Sequence, residues 1–586
     1  MSAWLGDFDE RMHKLIHDWN VPGIGVSIVK DQEVVLAKGY GFRDCGNELP
    51  FTPATVFPIA SNTKLFTAVA AGLLVERGVL SFDQPIRDVV PSLLFHDPSL
   101  NATVTLRDML GHRTGVPRYD MIWYKAGFSP KESFERIRFM KPVAPFRSRL
   151  IYNNMMYDAV GHVIELLSGK PWDQFIRDEI LKPLGMTHTA FTIADMLEQP
   201  EFSVPFSERR DGKELRRLPY HDVHESAPAG SMASNLDDMA RWLIALMNNG
   251  LVGGVQVVPE RTLNATLAPG LPFPEVANAI FGPSPELNSI YGMGRQTSSY
   301  RGHRLTSHGG ALPGFYSQVS YLTREKLGVA VFVIGDHCSM VSNVVGFDVY
   351  DRLLGLEPTH WGEDVLAFRA KNKNSMQEAR KRVTPSAVPN TRPSHGLDEY
   401  VGCYEHPAYG KLDIQLENGQ LKFGFRAMAL RLDHYHYDRF DTEDDEAEGM
   451  WSVSFLTSPI GDIDRAVMWL DEDDVVFRRV PDQLETSVLE QLAGTYLTET
   501  GVKLPVRLRD KTLTMHFPGL PSEILVPLKG LQFRTRLRPR MVFEFVFEDG
   551  CVTALRHWNS NFEFVLKRAK GDESNDALAS SDEFDE

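Results

Sequence analysis

The sequence predicts an α+β domain, an antiparallel sheet flanked by helices with a helical lobe beside it, followed by two small antiparallel β-barrels. Three observations carry that expectation. Strand-like runs lie at both ends of residues 1–358, with helical patterns between them. A charged stretch then runs into Pro385, Pro389 and Pro393. Beyond it, short alternating segments separated by turns continue almost to the end.

At 586 residues the chain is too long for one core. Its 43% hydrophobic and 24% charged content is that of a globular protein, and its net charge of -16 disfavours nucleic acid and anionic membranes as partners. No apolar run approaches the roughly 18 residues needed to cross a bilayer. The first ten residues lack the basic and apolar segments of a leader. Cys45, Cys338, Cys403 and Cys551 are scattered without metal or disulfide spacing, and the histidines form no ligand set. These features predict a cytoplasmic protein with no metal and no cofactor.

Residues 5–20 carry Leu5, Phe8, Met12, Leu15, Ile16 and Trp19 at helical spacing. Gly23–Val29 and Glu33–Gly39 read as strands around the turn Lys30-Asp31-Gln32. From Ser61 to Arg77 the chain is apolar almost all round, which predicts a buried helix stopped by Gly78. Helical patterns follow at Leu106–Leu110, Met155–Leu167, Trp172–Ile180 and Leu236–Asn248. Phe315–Tyr321 and Gly328–Val333 flank a polar turn as a hairpin, and Val341–Leu354 returns to helix. The expected divisions are 1–358, a helical and Pro-rich linker 359–393, barrels 394–481 and 482–570, and an acidic tail 571–586 without Lys or Arg. Val401-Gly402-Cys403-Tyr404 is echoed by Ala493-Gly494-Thr495-Tyr496, so the barrels read as related.

The chemistry begins at Ser61 and Lys64. Offset by three on a helix, their side chains share a face. A lysine in so apolar a setting is costly unless partnered or neutral, and a neutral amine beside a hydroxyl is an activated nucleophile. Ser27 and Lys30 have the same spacing on a strand, where the odd offset sends them to opposite faces; the spacing alone therefore decides nothing. Two further motifs add weight: Tyr152-Asn153-Asn154 and His308-Gly309-Gly310, the second followed by a strand.

In this order the three motifs resemble those of the serine β-lactamase, penicillin-binding and D-aminopeptidase superfamily, in its class C and esterase-like branch. Met109–Val116, Pro183–Met186, Pro228–Met232 and Tyr291–Gly294 also resemble its secondary signatures, and the resemblance covers residues 8–356. It implies a β-lactamase-like first domain with lipocalin-like barrels, as in bacterial D-aminopeptidases. It implies Ser61 as nucleophile, Lys64 and Tyr152 as proton carriers, and Asn154 orienting Lys64 and the substrate. The backbone N–H groups of Ser61 and Ala311 would form the oxyanion hole. His308 and Gly310 hold the substrate-binding third motif.

Penicillin-recognising relatives place a lysine and a hydroxyl where this chain has His308 and Gly309, so carboxylate recognition is expected to be weaker. The resulting expectation is a serine hydrolase that forms an acyl-enzyme on a small ester or amide. Competing readings are an acyltransferase or thioesterase-like release enzyme and a catalytically silent scaffold; self-association is left open. The barrels are expected, by analogy, to cap the pocket. His112, His303, Tyr119 and Tyr316 are expected to be structural.

Overall fold

The computed structural model describes residues 6–209, 214–273, 284–357, 359–382, 387–445, 449–458, 461–471, 473–538, 541–558 and 563–570; the acidic tail and Pro385 lie outside them. The first domain opens with helix α1 (Phe8–Trp19), which buries Phe8, Met12 and Trp19. Strands β1 (Gly23–Lys30) and β2 (Glu33–Asp44) form the expected hairpin, and the short β3 (Leu49–Pro50) lies beside β2. Helices α2 (Thr63–Glu76), α3 (Asp120–Trp123), α4 (Asn154–Ser168) and α5 (Leu236–Met247) belong to the long insertion. The chain then returns to the sheet through β4 (Glu286–Tyr291), β5 (Gln296–Tyr300), β6 (His303–Leu312), β7 (Phe315–Leu322) and β8 (Leu327–Ile334), and ends the domain with α6 (Val341–Leu354).

These eight strands form one sheet in the order β4-β5-β6-β7-β8-β1-β2-β3. The central pair, β8 and β1, is antiparallel and covered on both faces, so both strands are nearly continuous runs of apolar residues. Alternation along β8 separates the two cores: Ala330, Phe332 and Ile334 pack with the helical lobe, whereas Val329, Val331 and Val333 pack with α1 and α6. On the lobe side α2 buries twelve consecutive residues, Thr63 to Leu74, and Phe66 stacks on Trp242 of α5 at 4.3 Å. That burial, rather than an amphipathic stripe, explains its apolar sequence.

Helix α7 (Trp361–Arg382) leads out of the domain and is tied back to it where Arg369 and Lys373 reach the Glu208 carboxylate at 2.7 and 3.1 Å. Two closed eight-stranded antiparallel barrels follow, from Gly402–His406 to Asp473–Arg479 and from Gly494–Leu497 to Glu563–Arg568. The echoed Gly-x-Tyr motif has the same job in each. The Tyr404 hydroxyl donates to the Tyr400 carbonyl at 2.9 Å, and the Tyr496 hydroxyl donates to the Leu492 carbonyl at 2.7 Å. An arginine from the last strand closes each barrel: Arg479 donates to the Glu399 carbonyl at 2.8 Å and Arg568 to the Ala493 carbonyl at 2.7 Å. A side chain at Gly402 or Gly494 would crowd that guanidinium. Among the described residues no helix is long and apolar enough to cross a membrane.

Candidate active site

The site is built where the turn before α2 meets β6. Phe57 and Pro58 pair with Ser234 and Ala233, and the Ile59 N–H donates to the Met232 carbonyl at 2.9 Å. Ala60 then adopts φ +48°, a left-handed conformation disfavoured for a residue with a Cβ, and presents Ser61 at the start of a 3-10 turn that runs into α2. Strand β6 approaches this turn closely because residue 310 is glycine: a Cβ there would lie 2.1 Å from the Ile59 carbonyl oxygen. Ser317 of β7 fastens the contact, donating to the Ile59 carbonyl at 2.7 Å and accepting from the Asn62 amide at 2.8 Å.

Lys64 is fully buried one turn beyond Ser61. Its ammonium group donates to Ser61 Oγ at 3.0 Å, to Asn154 Oδ1 at 2.8 Å and to the Ala229 carbonyl at 2.7 Å. Burial pushes its pKa far below that of a free lysine; the Asp158 charge opposes the shift, Arg118 adds to it and Asp120 opposes it. The Pro228–Ser231 segment lies along this end of α2, where Thr67 donates to the Pro228 carbonyl at 2.7 Å.

The second motif divides its labour. Asn153 caps α4, its side chain accepting from the Met156 N–H at 3.1 Å, which places Asn154 in the first helical turn facing Lys64. The Tyr152 ring lies 4.9 Å from the Lys64 nitrogen. Burial holds the Tyr152 phenol well above its usual pKa, against the opposing effects of its hydrogen bond with Ser61 and of Arg118. Tyr152 therefore stays protonated at neutral pH, whereas Lys64 is the group driven toward its neutral form.

His308 of the third motif is buried, and both ring nitrogens have partners. Its Nδ1 lies 2.7 Å from the Gly309 carbonyl, which can only accept, so Nδ1 carries the proton; Nε2 accepts from the Tyr291 hydroxyl at 2.9 Å. Burial, reinforced by the Lys64 charge, lowers the His308 pKa to about 3. This ring is neutral near pH 7 and offers no cation to a substrate carboxylate.

A cleft of about 40 Å³ opens at Ser61, lined by Asn154, Trp123, Val223, Ala311 and Leu312 among others, with Ser61 and Ala311 both on its wall. That is several-fold smaller than the roughly 300–1,000 Å³ of drug-sized pockets and leaves room for only one small group. Every lining residue belongs to the first domain, so the barrels contribute no side chain to the cleft wall.

Three groups near the site escaped the motif reading. Asp120 accepts from the Asn154 amide at 3.1 Å, and Arg118 lies over the Tyr152 ring at 5.2 Å. Asp158 accepts from Ser226 at 2.7 Å, and burial drives its carboxyl pKa upward. It stands four residues after Asn154 on the expected helix, a spacing that could have revealed it. The His112 ring lies 4.3 Å from the Tyr152 ring, tilted by 38°, and accepts from the Asn153 N–H, and His303 reaches the Glu325 carboxylate. Tyr119 bonds the Lys141 backbone, and Tyr316 packs against the second core; none of these four lines the cleft. Among the described residues no cluster of His, Cys, Asp and Glu could hold a metal ion.

The family described as Beta-lactamase matches residues 8–340, and a Domain of unknown function (DUF3471) matches residues 386–479. Unguisins hydrolase ungD of Aspergillus violaceofuscus is 26% identical over 440 residues, spanning 70% of this chain and 76% of the relative. Unguisins hydrolase ungD' of Aspergillus campestris is 28% identical over 447 residues, 70% of this chain and 77% of its own length. In fold, the chain resembles the octameric penicillin-binding protein homologue from Pyrococcus abyssi, with a TM-score of 0.54, 23% identity, and coverage of 82% of this chain and 100% of that one.

Proposed function

The chain belongs to the β-lactamase family and is a serine hydrolase, and on that footing we propose that it cleaves a small ester or amide through an acyl-enzyme on Ser61. The observation that carries the reading is the 3.0 Å contact between Ser61 Oγ and a Lys64 amine whose burial favours the neutral form. Neutral Lys64 takes the Ser61 proton as Oγ attacks the substrate carbonyl carbon. The oxyanion collects on the backbone N–H groups of Ser61 and Ala311 at the mouth of the helix. Collapse of the tetrahedral intermediate breaks the bond to the leaving group. Tyr152 gives that group a proton and regains one from Lys64. Water then repeats the sequence on the acyl-enzyme, releasing the acid and restoring Ser61 and Lys64.

Asn154 fixes the Lys64 amine through its carbonyl oxygen. The neutral, internally bonded His308 and the apolar cleft wall support substrates without a carboxylate at the third motif, and Gly310 serves by letting β6 approach. The name unguisins hydrolase, borne by two relatives, supports hydrolysis as the reaction. In this reading the catalytic unit is 1–358, joined by the 359–393 segment to barrels 394–481 and 482–570. The four cysteines, all free, support work in a reducing cytoplasm.

Intact-mass analysis after incubation with a panel of acyl donors tests the mechanism. A transient adduct of the acyl mass is expected on the wild type and none on Ser61→Ala. An adduct that persists on Ser61→Ala, or turnover by that variant, overturns the assignment.

A further inference from the structure

Helix α3 is a single turn, too short to hold itself together, with backbone N–H and C=O groups that need partners from elsewhere. It is entered through Tyr119, whose φ of +48° is left-handed. Yet this turn carries much of the environment of the proposed site. Asp120 Oδ1 accepts from the Asn154 amide and from the Trp123 indole N–H, both at 3.1 Å. Its other oxygen accepts from Arg118 Nε at 2.5 Å, and that guanidinium lies over the Tyr152 ring. Lys64 donates to the Asn154 amide oxygen, and a carboxylate can only accept from the amide NH2. Asp120 therefore dictates which end of the Asn154 amide faces Lys64. Trp123, held by the same carboxylate, is a wall of the cleft.

The partners of this turn come from the first barrel. Asp471, in the loop between the last two barrel strands, accepts from the Met121 N–H at 3.1 Å and from the barrel's own Tyr409 hydroxyl at 3.1 Å. Arg426, at the turn between two other barrel strands, donates to the Tyr124 carbonyl and, at 3.4 Å, to the Ile122 carbonyl. Nearby, Arg136 of the first domain donates to the Ala408 carbonyl of the barrel at 3.1 Å. Three backbone groups between Met121 and Tyr124 are thus satisfied by a domain that places no atom in the cleft.

We propose that Asp120 is a positioning residue for the acyl-transfer site and that the first barrel, through Asp471 and Arg426, holds α3 in the conformation that keeps Asp120 on Asn154 and Trp123 on the cleft wall. The proposal rests on the reading of Ser61 as nucleophile. The barrel acts by supplying the caps that a one-turn helix lacks, so its influence on selectivity runs through the wall rather than through a lid.

Full-length Asp471→Leu, Asp471→Asn, Asp120→Ala and wild-type proteins test it through three readouts: the rate of Ser61 labelling by a fluorophosphonate, kcat and KM on a chromogenic ester, and amide hydrogen exchange. Asp471→Leu is expected to slow labelling and kcat by roughly 10- to 100-fold, the loss that about 1 Å of misplacement produces. It should speed exchange in residues 118–126 and leave Thr63–Glu76 protected. Asp471→Asn keeps a carbonyl for the Met121 N–H and should retain most activity. Asp120→Ala should lose kcat to a similar extent with the barrel unchanged. Wild-type labelling rates in Asp471→Leu or Asp120→Ala overturn the proposal, as does a loss of protection that extends to the Ser61 helix. If Asp471→Leu does not fold, Asp120→Ala decides the positioning role, and Arg426→Gln, judged by exchange in residues 118–126, decides the brace. Failure of the wild type to label at Ser61 is a separate result and refutes the nucleophile instead.

Discussion

Adjacent glycines in the third motif should respond in opposite ways to one added methyl. In Gly310→Ala the new Cβ would stand 2.1 Å from the Ile59 carbonyl oxygen and 2.5 Å from Ser317 Oγ. Relaxed contacts settle near about 3.5 Å, so β6 must retreat from the Ser61 turn by about 1.4 Å. The obstructing oxygen is backbone already held by Ser317, which leaves no cheap escape. Ala311, next along the strand, moves with it, and the separation of the two proposed oxyanion donors grows. Loss of one such donor costs about 10²–10³ in rate, and a 100-fold loss corresponds to about 2.7 kcal/mol of transition-state stabilisation. Overpacking should remove a further ~1–3 kcal/mol of folding stability. In Gly309→Ala the nearest atom is Gln318 Oε1 at 3.1 Å, the far end of a flexible side chain. That change should leave kcat/KM within about twofold, as for an ordinary surface substitution. Ester kinetics at a temperature where both variants are folded, checked by thermal melts, separate the cases. A folded Gly310→Ala enzyme with wild-type kcat/KM, or equal losses in both variants, would refute the close-approach argument.

The remaining tests use protons and caps. If Lys64 must be neutral to accept the Ser61 proton, kcat/KM should climb about tenfold per pH unit on the acid limb and then level; Lys64→Met should lose that limb and about 10²–10⁴ in rate. Because Tyr152 holds its proton more tightly than a free phenol, no second loss should appear below pH 10. His308 has a folded pKa of about 3 against the ordinary 6.5, so its contribution to stability is complete above pH 6.5 and is lost as pH falls toward 3. Urea midpoints measured across that window should fall less steeply in His308→Gln. Asn153→Ala, which removes a helix cap, should lower stability by about 1 kcal/mol in denaturant melts. Asn154→Ala should instead lower kcat by more than its stability loss explains, because its carbonyl holds Lys64.

What the sequence disclosed depended on whether a feature was local. Ser27 and Lys30 lie on β1, where strand periodicity parts them, while Ser61 and Lys64 meet on a helix, as their surroundings indicated. The barrels were legible because the Gly-x-Tyr repeat performs the same local bond twice, from Tyr404 to Tyr400 and from Tyr496 to Leu492. Features fixed by distant partners were hidden. Nothing around Ala60 announces a left-handed residue, since β6 and the Met232–Ser234 segment impose that turn from more than 170 residues away. Asp120 reads as one more polar residue in a loop until α4 brings Asn154 to it. The neutrality of His308 was expected, but its two internal hydrogen bonds, which leave neither nitrogen for a ligand, required Tyr291 to be placed.

The strand order also has a consequence for synthesis. The N-terminal strand β1 lies between β2 and β8, and the Ser61 turn finds Gly310 and Ser317 only when β6 and β7 have joined the same sheet. A nascent chain that has just displayed Ser61 must therefore wait until residue 334 clears the ribosome. At about 5–20 residues per second, that delay is roughly 14 to 55 s. Through that interval the serine lacks both the close approach of Gly310 and the Ser317 bond to the Ile59 carbonyl. The surroundings of Ser61 are therefore completed only as the sheet closes, and a chain cut short before β6 and β7 has no means to assemble them.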